Sequence, residues 1–330
     1  MRRMMFKFRT FLNNESGGVL IIVAFALVGL MGFTALTVDG GSLYTEKSRL
    51  QKAADAAALA AAQELPLDST KAELEATNTA NKNRPTVDEV KVEIDPNKKW
   101  VRVTTKENVK FTFAKVLGFN DQDVIATAKV ELNPMTSGRG VIPLGIQHVD
   151  YDLWKNCTEI TLKLPKPSDP TSTSIGCDGA NNLGSGNTGP LVLTGTGGDK
   201  YRDDLKNGSN VEVKVGMELE TQTGNMVGPT KQGIKDRLSS CPSYVTYDAA
   251  TYPEDCERIV TVPIYKIIEF ETGNQIKKVE VIGFAVFFLV SVSESSEGAE
   301  VKGQLISYNV GGDSSPAQTN YGAYGYKLVD

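Results

Sequence analysis

Histidine is almost missing from this chain: His148 is the single one in 330 residues. Histidine-rich metal chemistry is thereby excluded, and a Ser/His/Asp arrangement would have one place to form. Cysteine is sparse as well, with four residues and no Cys-x-x-Cys, so the usual ligand spacing of a zinc site is absent. No long Lys/Arg run occurs, and 35 basic residues stand against 40 acidic ones for a net charge of −5. Such a chain has no electrostatic footprint for nucleic acid. Carboxylates alone can carry acid–base work in glycoside hydrolases, but no spacing here singles out a pair. The sequence therefore predicts no enzyme and no cofactor. Forty per cent of the residues are hydrophobic, enough for a folded protein with room for two domains.

The charge is unevenly placed. Residues 1–16 hold Arg2, Arg3, Lys7 and Arg9 against Glu15, a net +3, which leaves −8 for the rest. Gly17 to Val38 follows as GGVLIIVAFALVGLMGFTALTV, 22 residues without a charge. At about 1.5 Å per residue this run reaches across roughly 30 Å of hydrocarbon. A transmembrane anchor over 17–39 is expected, behind a basic cytoplasmic tail over 1–16. Basic residues before the span and Asp39 after it put the N-terminus in the cytoplasm and the remainder outside the cell membrane. The run is longer than the apolar region of a cleaved signal peptide and has no small-x-small site at its end, so an uncleaved anchor is expected. The span contains no Gly-x-x-x-Gly pair, so dimerisation through that motif has no support.

Residues 40–65 predict an Ala-rich stalk helix continuing from the span. Strong helix formers run to Pro66 without an intervening Gly or Pro after Gly41. Leu43, Leu50, Ala54, Ala57, Ala61 and Leu65 fall along one helical stripe. Small side chains let another helix or a sheet approach closely. The stripe serves either as a partner-helix face, with Leu50, Ala54, Ala57 and Ala61 as its contacts, or as packing against the protein's own outer domain.

The segment from Gly17 through Val38-Asp39-Gly40-Gly41, with Tyr44, Arg49-Leu50-Gln51 and Ala53-Ala54-Asp55-Ala56-Ala57-Ala58-Leu59-Ala60, resembles the N-terminal part of TadE/TadG-like pilus-assembly proteins. The Leu-Gln-x-Ala-Ala-Asp-Ala-Ala-Ala-Leu-Ala run is its specific element, and the resemblance covers roughly residues 15–64. It implies a single-pass membrane protein at a tight-adherence (Flp-type) pilus or surface-secretion machine. Pilus-assembly or secretion-machine membrane proteins, pilin subunits and membrane lipid are the implied partners. Pilin-like members are cut after a glycine and carry a glutamate five residues later. Here the fifth residue after Gly18 is Val23, and Glu15 precedes the glycines, which points to the anchored TadG-like accessory type.

Residues 66–135 read as a small α+β unit. Asp68 or Ser69 caps a helix over KAELEATNTANKN that ends before Pro85. Val87 to Ile94 and Trp100 to Thr105 form a hairpin about the turn residues Asp95-Pro96-Asn97. A short helix over Phe111 to Leu117 is stopped by Gly118, and Val124 to Leu132 supplies a third strand. A domain boundary is expected around Asn133 to Gly138, where Pro and Gly interrupt the pattern.

Residues 136–330 then read as a β-rich, sandwich-like extracytoplasmic domain, because seven short apolar alternations are separated by turn residues. The apolar run Val281 to Val290 is too short to cross a membrane and is read as a core strand. Cys157, Cys177, Cys241 and Cys256 all lie here, and an even count outside the cytoplasm favours two disulfides. Of three connectivities, Cys157–Cys177 with Cys241–Cys256 closes the shortest loops and is the one expected. Each bridge would add roughly 2 to 4 kcal/mol.

Several strings imitate functional motifs. Gly184 to Gly189 matches Gly-x-Gly-x-x-Gly, but Pro190 and a strand-like run follow where a helix is needed to aim amides at phosphate. Asp178, Asn181, Asn182 and Asp199 lack an ordered calcium-ligand spacing. The von Willebrand A-like metal motif found in some TadG-type proteins needs Asp-x-Ser-x-Ser, and Asp169 to Thr173 is only the nearest approach. His148 is read as structural. Tyr308, Tyr321, Tyr324 and Tyr326 are read either as a last strand with turn residues or as a surface for polysaccharide. The fold class expected is thus α+β: a transmembrane helix running into an Ala-rich helix, a small α+β unit and a β-rich C-terminal domain. The function expected is that of an anchored structural or accessory protein, with a stand-alone surface binding module or cell-wall adhesin as the alternative.

Overall fold

A computed structural model describes residues 15–148, 151, 155–157, 159–163, 190–224, 226–241, 256–271, 275–295 and 298–329. Its first element is α1 (Glu15–Glu64), one continuous helix of 50 residues. At about 1.5 Å per residue it is about 75 Å long. Its two halves have opposite surroundings. From Val19 to Val38 the large apolar side chains are exposed, while Leu50, Ala54, Ala57, Ala58, Ala61 and Ala62 are fully buried. Within the described residues this is the one helix long and apolar enough to cross a membrane.

Helix α2 (Ser69–Asn83) folds back along α1. The Asp68 carboxylate starts it by accepting the amides of Thr70 and Lys71, which otherwise lack partners at a helix N-terminus. Ala72, Ala76 and Ala80 recur every four residues and form its buried face. Strands β1 (Glu89–Ile94) and β2 (Trp100–Lys110) form the expected hairpin, with Glu89 opposite Lys106 and Ile94 opposite Val101. The turn is fastened by Asp95, whose side chain accepts the amides of Asn97 and Lys99. A single 3-10 turn (Ala114–Leu117) ends at Gly118, whose φ of +94° is the left-handed conformation that glycine adopts without strain.

Strand β3 (Asp121–Gly138) runs through the expected domain boundary without a break. Pro134 is tolerated because β2 ends opposite Glu131, so no strand lies beside Pro134 on that edge. On its other edge β3 pairs with β13 (Ala323–Val329), the last strand of the chain. The first sheet therefore has the order β1-β2-β3-β13-β11, with β11 (Tyr308–Asn309) parallel to β13. Its C-terminal end also takes β6 (Val213–Lys214) and β12 (Asp313–Ser314) beside β3.

The second sheet has the order β4-β8-β9-β10-β5. Its strands are β4 (Ile146–Gln147), β5 (Ile160–Lys163), β8 (Ile259–Glu271), β9 (Gln275–Ser295) and β10 (Gly298–Ile306), and β7 (Glu218–Glu220) joins β9. Val281 and Phe284 to Leu289 are buried in the middle of β9, so the longest late apolar run is a core strand. Sheets covered on both faces read as continuous apolar runs, and this one is. One face meets α3 (Gly198–Asn207) and α4 (Val227–Leu238) through Tyr201, Leu205 and Ile234. The other packs Val279, Val281 and Phe284 against Met135 of β3, Val213 of β6 and Ala323 of β13. Gly303 sits at a bulge in β10, where a Cβ would come 2.1 Å from the Phe288 carbonyl oxygen. The fold is α+β with a β-rich C-terminal part. Helices α3 and α4 are its unannounced elements.

Candidate functional site

The chemistry of this chain is concentrated where the apolar helix meets the folded part. Asp39, the first charged residue after the apolar run, is buried. Its carboxylate accepts three successive amides of the β2–β3 loop, Thr112 at 2.9 Å, Phe113 at 3.0 Å and Ala114 at 2.6 Å. A fixed anion thus satisfies the free amides at the start of the 3-10 turn and ties the loop to α1.

Two helical turns further along, Glu46 and Glu107 of β2 grip Arg84, which follows α2. Arg84 donates through Nε and Nη2 to the two Glu107 oxygens at 2.8 and 2.9 Å. Glu46 Oε1 lies 2.6 Å from Arg84 Nη2 as an ion pair without aligned hydrogen-bond geometry. Three elements are joined by one guanidinium, whose planar fork suits two carboxylates. Burial and then the Glu107 carboxylate push Glu46 above its usual range, while Arg84 and Arg49 oppose the shift. Further contacts run up the helix. Lys47 Nζ donates to the Ile125 carbonyl, Gln51 Nε2 to that of Thr127 at 2.9 Å, and Thr105 Oγ1 to that of Leu50 at 3.2 Å.

Beyond these contacts the alanine stripe closes the seam. Ala54, Ala57, Ala58, Ala61, Ala62 and Leu65 pack with Ala72, Ala76 and Ala80 of α2 against Val101, Val103, Ala128, Val130 and Leu132 of the first sheet. Leu50, Ala54, Ala57 and Ala61 each have no exposed surface. The face considered for a partner helix is thus occupied by the protein's own helix and sheet. Small side chains on both helices allow that close approach, and a second macromolecule has no access to these four residues.

Cys241 and Cys256 form a disulfide, with their Cα atoms 5.5 Å apart. Cys157 is disulfide-bonded, and Cys177 lies outside the described residues. The basic tail over residues 1–14, the Gly184 to Gly189 string, Asp169 to Thr173 and the oxygen-bearing Asp178, Asn181 and Asn182 lie outside them too. Asp199 pairs with Arg202 at 3.2 Å. His148 meets the Tyr321 ring edge-on at 5.9 Å, and Tyr151 meets the same ring at 4.9 Å. Tyr321 is buried, while Tyr324 and Tyr326 of β13 are half-buried and pack against the alanine layer. Among the described residues no group of three or more His, Cys, Asp or Glu side chains is placed to hold a metal ion. Sequence reasoning missed the Glu46–Arg84–Glu107 clamp and the role of Asp39, since both unite residues far apart in the chain.

An exposed apolar helix continuing without a break into a buried seam defines a class: a folded body carried on a single membrane anchor. Residues 17–64 match a family model described as "Putative Flp pilus-assembly TadE/G-like", and they coincide with the apolar and alanine-rich parts of α1. The N-terminal segment is therefore similar to TadE/G-like pilus-assembly proteins, and the same segment holds a helix long and apolar enough to cross a membrane. No curated protein matches the chain. No solved structure matches it.

Proposed function

We propose that this protein is an extracytoplasmic structural accessory of Flp-type (tight-adherence) pilus assembly or surface secretion, acting mechanically and without catalysis. The observation that carries the reading is the coincidence of the TadE/G-like segment with one unbroken helix, exposed and apolar in its first half and locked into the folded body in its second. Such a helix holds its domain at a fixed place on a membrane. Basic residues ahead of the span and Asp39 behind it support a cytoplasmic N-terminus with the body outside. With the alanine seam filled from within, partner contacts fall to the open face of the first sheet and to the membrane-embedded half of α1.

The test is crosslinking in intact cells, purification through a C-terminal tag and mass identification of what is captured. Small pilin-like proteins and the membrane platform of a secretion machine are expected. Recovery of cell-wall material alone, or of nothing, would overturn the assembly role in favour of a stand-alone surface module.

A further inference from the structure

The loop that Asp39 holds displays an apolar tip. Phe113 is 40% exposed, Val116 88% and Phe119 63%, three large apolar side chains within seven consecutive residues. Isolated exposed apolar residues are ordinary, but three large ones on one turn form a patch with a purpose to find. Their position supplies it. β2 descends along α1: Thr105 bonds to Leu50, and seven residues later Thr112 bonds to Asp39. The tip is therefore reached at the level where the exposed apolar surface of α1, Val19 to Val38, comes to its end.

That level is set rigidly. β2 and β3 pair without interruption from Trp100 opposite Glu131 to Lys110 opposite Asp121, directly above the loop. The three amide bonds to Asp39 then fix the tip sideways against the helix. Lys110 and Lys115 flank the apolar side chains and are exposed. Apolar side chains ringed by lysine suit the boundary between acyl chains and headgroups, where the former are buried and the latter meet phosphate.

From this continuity we propose that the β2–β3 loop is a second membrane contact. Phe113, Val116 and Phe119 enter the interfacial layer of the bilayer that α1 crosses, with Lys115 toward the headgroups. The folded body then rests on the membrane surface at two points and cannot swivel about the helix. Asp39 is its positioning residue, since it touches no lipid and acts by holding the loop. The inference rests on the anchored reading of α1.

The test uses the full-length chain in vesicles of phosphatidylcholine and phosphatidylglycerol, some of whose lipids carry doxyl quenchers at positions spread from the headgroup end to the methyl end of the acyl chain. Val116→Cys, Val28→Cys and Leu74→Cys are each labelled with an environment-sensitive fluorophore under non-reducing conditions, with the unsubstituted protein as the blank. Leu74 is 57% exposed on α2 and serves as the solvent reference. The label at position 116 is expected to show blue-shifted emission and to lose most of it to the lipid quencher, as the label at 28 does. The label at 74 is expected to respond only to aqueous iodide. If position 116 behaves like 74 while 28 is quenched by lipid, the loop contact is overturned and the anchor stands. If 28 also escapes the lipid quencher, the anchored reading and this inference fall together.

Discussion

Glu46 shows how one residue can place a pH signature on the junction. Its carboxyl is raised above the ordinary 4.5, first by burial and next by the facing Glu107 carboxylate, with Arg84 and Arg49 only partly offsetting them. A carboxyl raised in the folded state keeps a proton that the unfolded chain has already released. The folded state therefore loses stability through this group as pH rises from 4.5 to the raised value, and above that value the loss is complete. Glu46→Gln cannot titrate and leaves Arg84 its two bonds to Glu107. The stability of Glu46→Gln relative to the unsubstituted protein should therefore rise with pH across that window and then level off. Denaturant unfolding of both proteins in detergent micelles, repeated over a pH series, measures it. A difference that stays flat or falls would show that Glu46 is not the perturbed group. None of this was legible in the sequence, because Glu46, Arg84 and Glu107 meet only after α2 has folded back and the first hairpin has formed.

At the scale of elements, α1 was the most legible part of the chain. An uncharged run of 22 residues and an uninterrupted stretch of helix formers announce it, and local composition is all that a long helix requires. Its alanines announced close packing but not their neighbour, since a stripe of small residues fits any flat partner. The answer was partly available in Ala72, Ala76 and Ala80, a second alanine stripe at helical spacing only a few residues away. The two helices lie over Val101, Val103 and Val130 with no exposed alanine surface between them. Ala57→Leu should accordingly cost the isolated protein about 1 to 3 kcal/mol, because extra methylenes in a filled seam force side chains and backbone apart. Thermal or denaturant unfolding of the purified full-length variant reads that loss directly. A face kept free for a partner would instead accept leucine with unchanged stability and show its defect only in complexes.

The whole molecule departs most from its sequence pattern at the join between its two parts. Asn133, Pro134 and Gly138 look like a linker, yet β3 carries them straight through and is completed by β13 from the far end of the chain. Long-range pairing of this kind leaves no local signal, since each strand shows only its own alternation and not its neighbour. The packing makes the two parts interdependent. Tyr324 and Tyr326 of β13 lie against the alanine layer, Asn309 Nδ2 donates to the Ala62 carbonyl of α1 at 3.1 Å, and Ala323 sits in the core shared with β9. Deleting residues 323–330 should therefore loosen the N-terminal unit, although that unit is encoded almost two hundred residues earlier. Without β13 the edge of β3 at Val130 and Leu132 is left unpaired and the tyrosine cover of the alanine layer is gone. The expected outcome is a lowered unfolding midpoint and new proteolytic cuts within residues 66–135, measured on the truncated protein in micelles beside the full chain. An unchanged midpoint with protection of that region would mean that the N-terminal unit folds independently, as the sequence boundary implies. The packing argues against that independence: α1, the first sheet and the C-terminal strands share one buried seam, joined through the pairing of β3 with β13.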